Sequence, residues 1–487
     1  MRVKGVFAVV ALLLLVPAGD AVADGQDQSQ LRDYAARTWA SLAAMTDPQS
    51  GLPADSLGAD GTRSVQTSTT NIGAYMWSAV GARRLGLIDD AELESRLSRT
   101  LKTLEHMERY RDTGQFYNWY DHRTGEKLTF WPPRPSDEFH PILSSVDNGW
   151  LAVGLRIVQR SVPKLAKRAG ALYDAMDFGF YYVPEKNRVL FHFRPDDPAA
   201  SPCCYDTVVS ESRIVDYLGI ARGQLPQKEY FGRWRSFPDT CDWSWQETRP
   251  VGETRTYFGV PVFEGAYPYD GTLVVPSWGG SMFEALMPAL FVPEERWAPR
   301  SWGVNHPLTV RAQIHHGLVD ARYGVWGFSP ANRPEGGYDV YGVDALGMDP
   351  GGNPSNEDRT LVDHGFGGCP GAHPAQPDPP PSAYTNGVVT PHAAFLALRY
   401  APDETAANLR RLVERFPALY GPLGFRDSVN VQTGAVSGAY LSLDQGMIMA
   451  SIANALGDDV LRRAFAGREE ERALRPVIGV EEFGASG

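Results

Sequence analysis

The chain has 487 residues, a formal net charge of −12 and a hydrophobic fraction of 43%. This acidity argues against nucleic acid or an anionic membrane surface as partner. The length suits two or three average domains, or one large helical barrel.

Arg2 and Lys4 precede an apolar run over residues 6–16, and Ala21-Val22-Ala23 has the small-x-small form of a signal-peptidase site. A signal peptide over 1–23 is expected, with a secreted mature chain. The run is too short to span a bilayer comfortably, and no later stretch is long and apolar enough to do so. Apolar residues at helical spacing predict helices around Leu31–Leu42, Ile72–Ala79, Ala91–Met107, Asp147–Gln159 and Val162–Asp177. Phe178–Pro202 reads as a hairpin or extended loop. Tyr205–Leu218 reads as a further helix, with Val208, Glu211, Val215 and Leu218 on one face. Later helices are expected at Met282–Leu290, Leu308–Leu318, Val388–Tyr400, Glu404–Phe416, Asp444–Leu456 and Asp458–Phe465. About twelve helices, with no strand series for a parallel sheet, fit an all-α (α/α)6 toroid with long aromatic loops. One domain over 24–466 and a polar tail over 467–487 are expected.

The four cysteines are Cys203, Cys204, Cys241 and Cys369. An even count in an exported chain suggests two disulfides. Neighbouring Cys203 and Cys204 bridge each other poorly, so each is expected to pair with Cys241 or Cys369. No Cys–His spacing resembles a zinc site. His315-His316 and Asp363-His364 lack the i, i+4 spacing of a helical metal pair, and no cofactor or metal is expected.

Glu211 stands out because a carboxylate on an apolar face must be paired, protonated or turned to a polar cavity. Such a place raises a pKa toward that of a general acid, although an ion pair with Arg213 or another Arg is the commoner fate. Asp147 and Asp444 each open a helix, where an N-cap is the ordinary role. Asp427 lies in an irregular segment, where solvation is the ordinary role. Glu284 sits in an apolar run beside Trp278, where a buried ion pair is the ordinary role. Hydrolysis of a glycosidic bond needs two carboxyl groups flanking that bond, and 12 Trp and 21 Tyr offer stacking platforms, though most such side chains are core.

Six segments, SSVDNGWLAVGL (144–155), YDTVVSESRIVDYLGIARGQLP (205–226), VPSWGGSMFEALMP (275–288), YGVWGFSPANRPEGGYDVYGV (323–343), NGVVTPHAAFLALRYAPDE (386–404) and LYGPLGFRDSVNVQTG with AYLSLDQGMI (419–448), resemble the glucoamylase-like superfamily of bacterial (α/α)6 proteins. That group includes endo-β-1,2-glucanases and the transglycosylase domain of cyclic β-1,2-glucan synthases. The resemblance implies a glycoside hydrolase, with Glu211 as general acid and Asp427 or Asp444 opposite it. It implies that Asp147 lines the cleft, and we expect Glu284, Trp278, Trp326 and Arg213 to bind substrate with it. Trp326-Gly327-Phe328-Ser329-Pro330 lacks the acid that the transglycosylases carry there, which argues for an inverting hydrolase. The expected partner is a poly- or oligosaccharide and the expected state a monomer. The alternative is a non-catalytic or differently specific carbohydrate-binding toroid. The insertion 350–381 is expected to border the cleft.

Overall fold

The computed structural model describes residues 25–134, 136, 138–238, 240, 249–348, 382 and 387–486. The expected signal peptide, Cys241, Cys369, Asp363-His364 and the insertion 350–381 lie outside the described residues.

The fold is helix-rich. In order, its helices are α1 Gly25–Met45, α2 Thr69–Arg84, α3 Asp90–His106, α4 Ser145–Ser161, α5 Ala166–Ala175, α6 Arg213–Ala221 and α7 Met282–Leu286. They continue with α8 Glu294–Trp297, α9 Trp302–His315, α10 Pro391–Leu396, α11 Pro402–Arg415, α12 Ser442–Leu456, α13 Val460–Phe465 and α14 Arg468–Ile478. Composition sorts them into layers. In α2 every residue from Thr69 to Ala82 is buried, and α4 and α12 are buried almost throughout, as expected of helices apolar on all sides. By contrast α3 buries Leu93, Leu97, Leu101 and Leu104 and turns its charged residues outward. The central helix α2 packs on α4 and α12, and α12 packs on α1 and α10. At the α2–α4 crossing a Cβ on Gly73 would overlap the Trp150 carbonyl, and one on Gly154 would press on the Gly73 backbone. Only glycine lets these two helices approach so closely.

Among the described residues the strands form two-stranded ladders only. Several of these end where a buried helix begins. Leu143–Ser144 pairs with His192–Phe193 ahead of α4, and Ser56–Gly58 pairs with Ala439–Leu441 ahead of α12. Ser277–Trp278 runs parallel to Gly347–Met348 ahead of α7, and Val388–Val389 pairs with Val429–Asn430 ahead of α10. Each ladder fixes the N-terminus of the helix that follows.

Three expectations are corrected. The segment 205–212 is not helical, and α6 begins only at Arg213. Ser210 and Ser212 share a hydroxyl–hydroxyl hydrogen bond of 2.9 Å, and the Ser212 N–H donates to Ser210 Oγ. This local bonding competes with helix and holds a turn. Second, the polar tail contains α14, which buries Leu474, Val477 and Ile478. Its charges are not simply solvated, since Arg156 and Arg160 both pair with Glu470. Third, Cys203 and Cys204 are joined to each other. Their Cα atoms lie 3.1 Å apart.

Candidate active site

Asp147, Glu284 and Asp444 are each the third residue of their helix, in α4, α7 and α12. In two cases a serine caps the end: Ser144 Oγ accepts the Asp147 N–H, and Ser281 Oγ accepts the Glu284 N–H. The N-caps are therefore Ser144 and Ser281, not the acids themselves. The positive helix end favours an acid in this first turn.

Glu211 sits in the turn before α6, half-buried. Its backbone N–H donates to Glu284 Oε2 at 2.8 Å, and Trp150 Nε1–H donates to its Oε2 at 2.5 Å. Burial, then the neighbouring Glu284 charge, push the Glu211 carboxyl well above the usual carboxylate range, against the Trp150 donor and Arg213. Burial likewise pushes Glu284 up to about 7. Two neighbouring carboxyls in such surroundings cannot both ionise easily, so the pair holds a proton near neutral pH.

Asp427 and Asp444 form a second acidic pair. Asp427 and Asp444 are 2% and 3% exposed, so Asp427 is not the solvated loop residue its surroundings suggested. Asp427 Oδ2 accepts the Asn332 N–H at 2.5 Å. Burial pushes Asp427 up to about 6, and burial with the Asp427 charge pushes Asp444 well above its usual range. Asp55 and Asp147 link the two pairs electrostatically. Asp147 acts on Glu211 and on Asp55, and Asp55 acts on both Asp427 and Asp444. Asp147 is itself held by the Thr70 hydroxyl at 2.7 Å.

Tyr338, which sequence reasoning passed over, connects both sides. Enclosure by protein, followed by the charges of Asp444, Asp427, Glu211 and Glu284, pushes its phenol far up. Yet the residue is 55% exposed. An exposed side chain on which all four carboxylates act lies near both acidic pairs. It sits on the hairpin that pairs Ala331–Asn332 with Tyr338–Asp339, the same hairpin whose Asn332 binds Asp427. A surface cavity of about 520 Å³ between Asp47, Arg63, His122 and Arg123 touches none of these acids.

The expected substrate contacts divide. Trp278 is half-buried, and its N–H donates to the Val209 carbonyl just ahead of Glu211, which keeps it at the site. Trp326 is 0% exposed and belongs to the core. Arg213 is also 0% exposed, gripping Glu294 at 2.7 and 3.0 Å and donating to the Ser210, Glu284 and Ala285 carbonyls. Arg213 thus ties the Glu211 turn to α7 and α8 and has no face for substrate. Glu284 is buried and occupied with the Glu211 backbone, so it supports the acid rather than meeting a ligand. His392, Asp427 and Asp444 have donor atoms within 4.8 Å of one another, the spacing a metal ion would need. However, the Thr390 hydroxyl donates to the Asp427 carbonyl at 2.6 Å, so the 2.8 Å contact with His392 Nδ1 requires that nitrogen to carry the proton. A protonated Nδ1 has no lone pair for a metal, which leaves Nε2 as the ring's free lone pair. His315 and His316 pair with Asp270 and Asp320 instead.

Residues 256–468 match the family model described as “Putative glucoamylase”, and 33–179 match one described only as a protein of unknown function. The cyclic β-(1,2)-glucan synthase NdvB of Rhizobium meliloti (strain 1021) is 25% identical over 576 aligned residues. That alignment takes in 90% of this chain but only 18% of the synthase. The endo-β-1,2-glucanase of Chitinophaga pinensis, solved with sophorotriose and glucose, superposes with a TM-score of 0.66 at 17% identity. The match covers 93% of this chain and 98% of that one. The β-1,2-glucanase of Parabacteroides distasonis gives 0.68 at 17% identity, over 93% of this chain and 60% of that one. Residues 256–468 are thus similar in sequence to the glucoamylase-like family model, and the fold over most of the chain is shared with solved endo-β-1,2-glucanases.

Proposed function

We propose that the chain is a secreted glycoside hydrolase of a glucan-like polysaccharide, built as an (α/α)6 toroid and working with inversion. What supports this is two acidic pairs, Glu211 with Glu284 and Asp427 with Asp444, that both act on the exposed Tyr338. Glu211, kept protonated by burial and by Glu284, gives its proton to the leaving glycosidic oxygen as the C1–O bond breaks. Water adds its hydroxyl to C1 and passes its proton to the Asp427–Asp444 pair. Asp147 and Trp278 contact the sugar. The neighbours named as β-1,2-glucanases make β-1,2-glucan the first substrate to try.

The test is release of reducing ends from a panel of glucans that includes β-1,2-glucan. The anomer formed first would be read by NMR and the secreted N-terminus by sequencing. Glu211→Gln is expected to lose about a hundredfold or more in kcat with unchanged circular dichroism. Equal turnover in that variant removes Glu211 as the acid. Binding of glucan with no turnover in the parent chain removes the hydrolase reading.

A further inference from the structure

We propose that Thr390 and His392 form a positioning pair that divides the acidic dyad, leaving Asp444 as proton holder and Asp427 as the charged member. The proposal rests on the hydrolase reading for its catalytic meaning, but not for its geometry.

The geometry is a chain of buried polar groups. The Thr390 hydroxyl has one proton, and the Asp427 carbonyl at 2.6 Å can only accept it. His392 Nδ1, 2.8 Å from the same hydroxyl, must therefore donate to it. Burial pushes His392 down to about 3, so the ring is neutral and Nδ1 keeps the single proton. Its Nε2 is buried with no partner among the described residues. Asp444 Oδ2 lies 3.4 Å from Nδ1, beyond the usual N–H···O range, and it has no donor among the described residues.

These facts leave one place for the dyad's proton. Asp427 Oδ1 and Asp444 Oδ2 are both buried without a donor, and two adjacent buried carboxylates cannot both be charged. Were Nδ1 bare, Asp444 could hand its proton to the imidazole. Thr390 prevents this by fixing the tautomer, so the ring nitrogen nearest Asp444 offers an N–H instead of a lone pair. Asp427 already receives the Asn332 N–H, which favours its anion. Asp444 Oδ2 has no such donor among the described residues, so Asp444 keeps the proton, which it shares with Asp427. The other charged or titratable groups acting here are Asp55 and Tyr338.

The experiment has two arms. In the first, long-range ¹H–¹⁵N spectra are taken of the full chain with labelled histidine. The His392 signals are assigned as those absent from His392→Asn. The expected result is a neutral Nδ1–H ring from pH 4.5 to pH 8. An Nε2–H ring, or one that titrates in that range, overturns the proposal whether or not the protein hydrolyses anything. In the second arm, Asp427→Asn is expected to lose about a hundredfold or more in kcat, as for a removed general base. Asp444→Asn, whose amide still donates to Asp427, is expected to lose under about tenfold. Thr390→Val should lower kcat roughly tenfold at unchanged KM. It should also move the acidic limb to lower pH, because the freed Nδ1–H turns to Asp444 and favours its anion. Thr390→Ser should restore both. A reversed order of the two Asn variants, or Thr390→Ser behaving like Thr390→Val, overturns the proposal. The expected tautomer in a chain inert toward every glucan would instead overturn the hydrolase reading alone.

Discussion

The Glu284 carboxylate accepts the backbone N–H of Glu211 at 2.8 Å. One buried acid thereby fixes the turn that carries another and places a like charge beside it. The same contact orients Glu211 and holds its proton.

Removing that charge should be visible in the pH profile. As the proposed acid, Glu211 must be protonated to act, so activity should be lost as pH rises through its pKa. Without the Glu284 charge that pKa falls, and Glu284→Gln should move the alkaline limb of kcat down by about one pH unit. Trp150→Phe should move it up, because the indole N–H donates to Glu211 Oε2 and favours the anion. The limb belongs to the coupled pair, so the direction of each shift is the measurement.

Arg213 and Glu294 bear on stability. Against the cost of burial, Arg213 and His306 hold Glu294 down to about 2. A carboxyl lowered in this way stabilises the fold above its unfolded pKa, and that contribution is lost as pH falls toward 2. Glu294→Gln should cost about 3–5 kcal/mol near neutral pH, since it leaves Arg213 buried without its charge partner. Urea unfolding should show the gap to the parent chain narrowing between pH 6 and pH 3.

At the α2–α4 crossing, Gly73→Ala should destabilise the chain by about 1–3 kcal/mol through overpacking against the Trp150 carbonyl. Trp150 holds Glu211, so this variant should also lower kcat, although Gly73 lies outside the cleft. Unfolding curves and steady-state kinetics on the same preparation test both.

Truncation after Gly467 should abolish cooperative unfolding or yield insoluble protein. It removes the buried face of α14, the Glu470 pairs with Arg156 and Arg160, and Glu481. Glu481 accepts the Tyr230 hydroxyl at 2.7 Å and pairs with Arg235 in the interior. A soluble truncated chain with an unchanged melting transition would show that the segment is dispensable.

Much of the helical frame could be read in the sequence, because apolar periodicity records which face is buried and acts locally. α3, with leucines every three or four residues, falls where expected, as do α2, α4, α11 and α12. The acids Glu211, Asp147, Asp427 and Asp444 were also legible as candidates, from their motifs and from the resemblance those motifs carry. Local periodicity failed at 205–212, where serine hydroxyls bonding to neighbouring backbone outcompete the helix. It failed again at α14, whose polar sequence hides ion pairs made with a helix some three hundred residues away. Roles within the site depended on tertiary contacts altogether. Arg213 and Trp326 look like binding residues until their burial is known, and Glu284 looks like a ligand contact until its partner proves to be the Glu211 backbone. Asp427 looks like a solvated loop residue until Asn332 and Asp444 close around it. The sequence by itself determined the helices and the stock of acids. Only the tertiary structure decided which acids meet, because burial and like-charge proximity, which set a carboxyl's proton, arise between segments far apart in the chain.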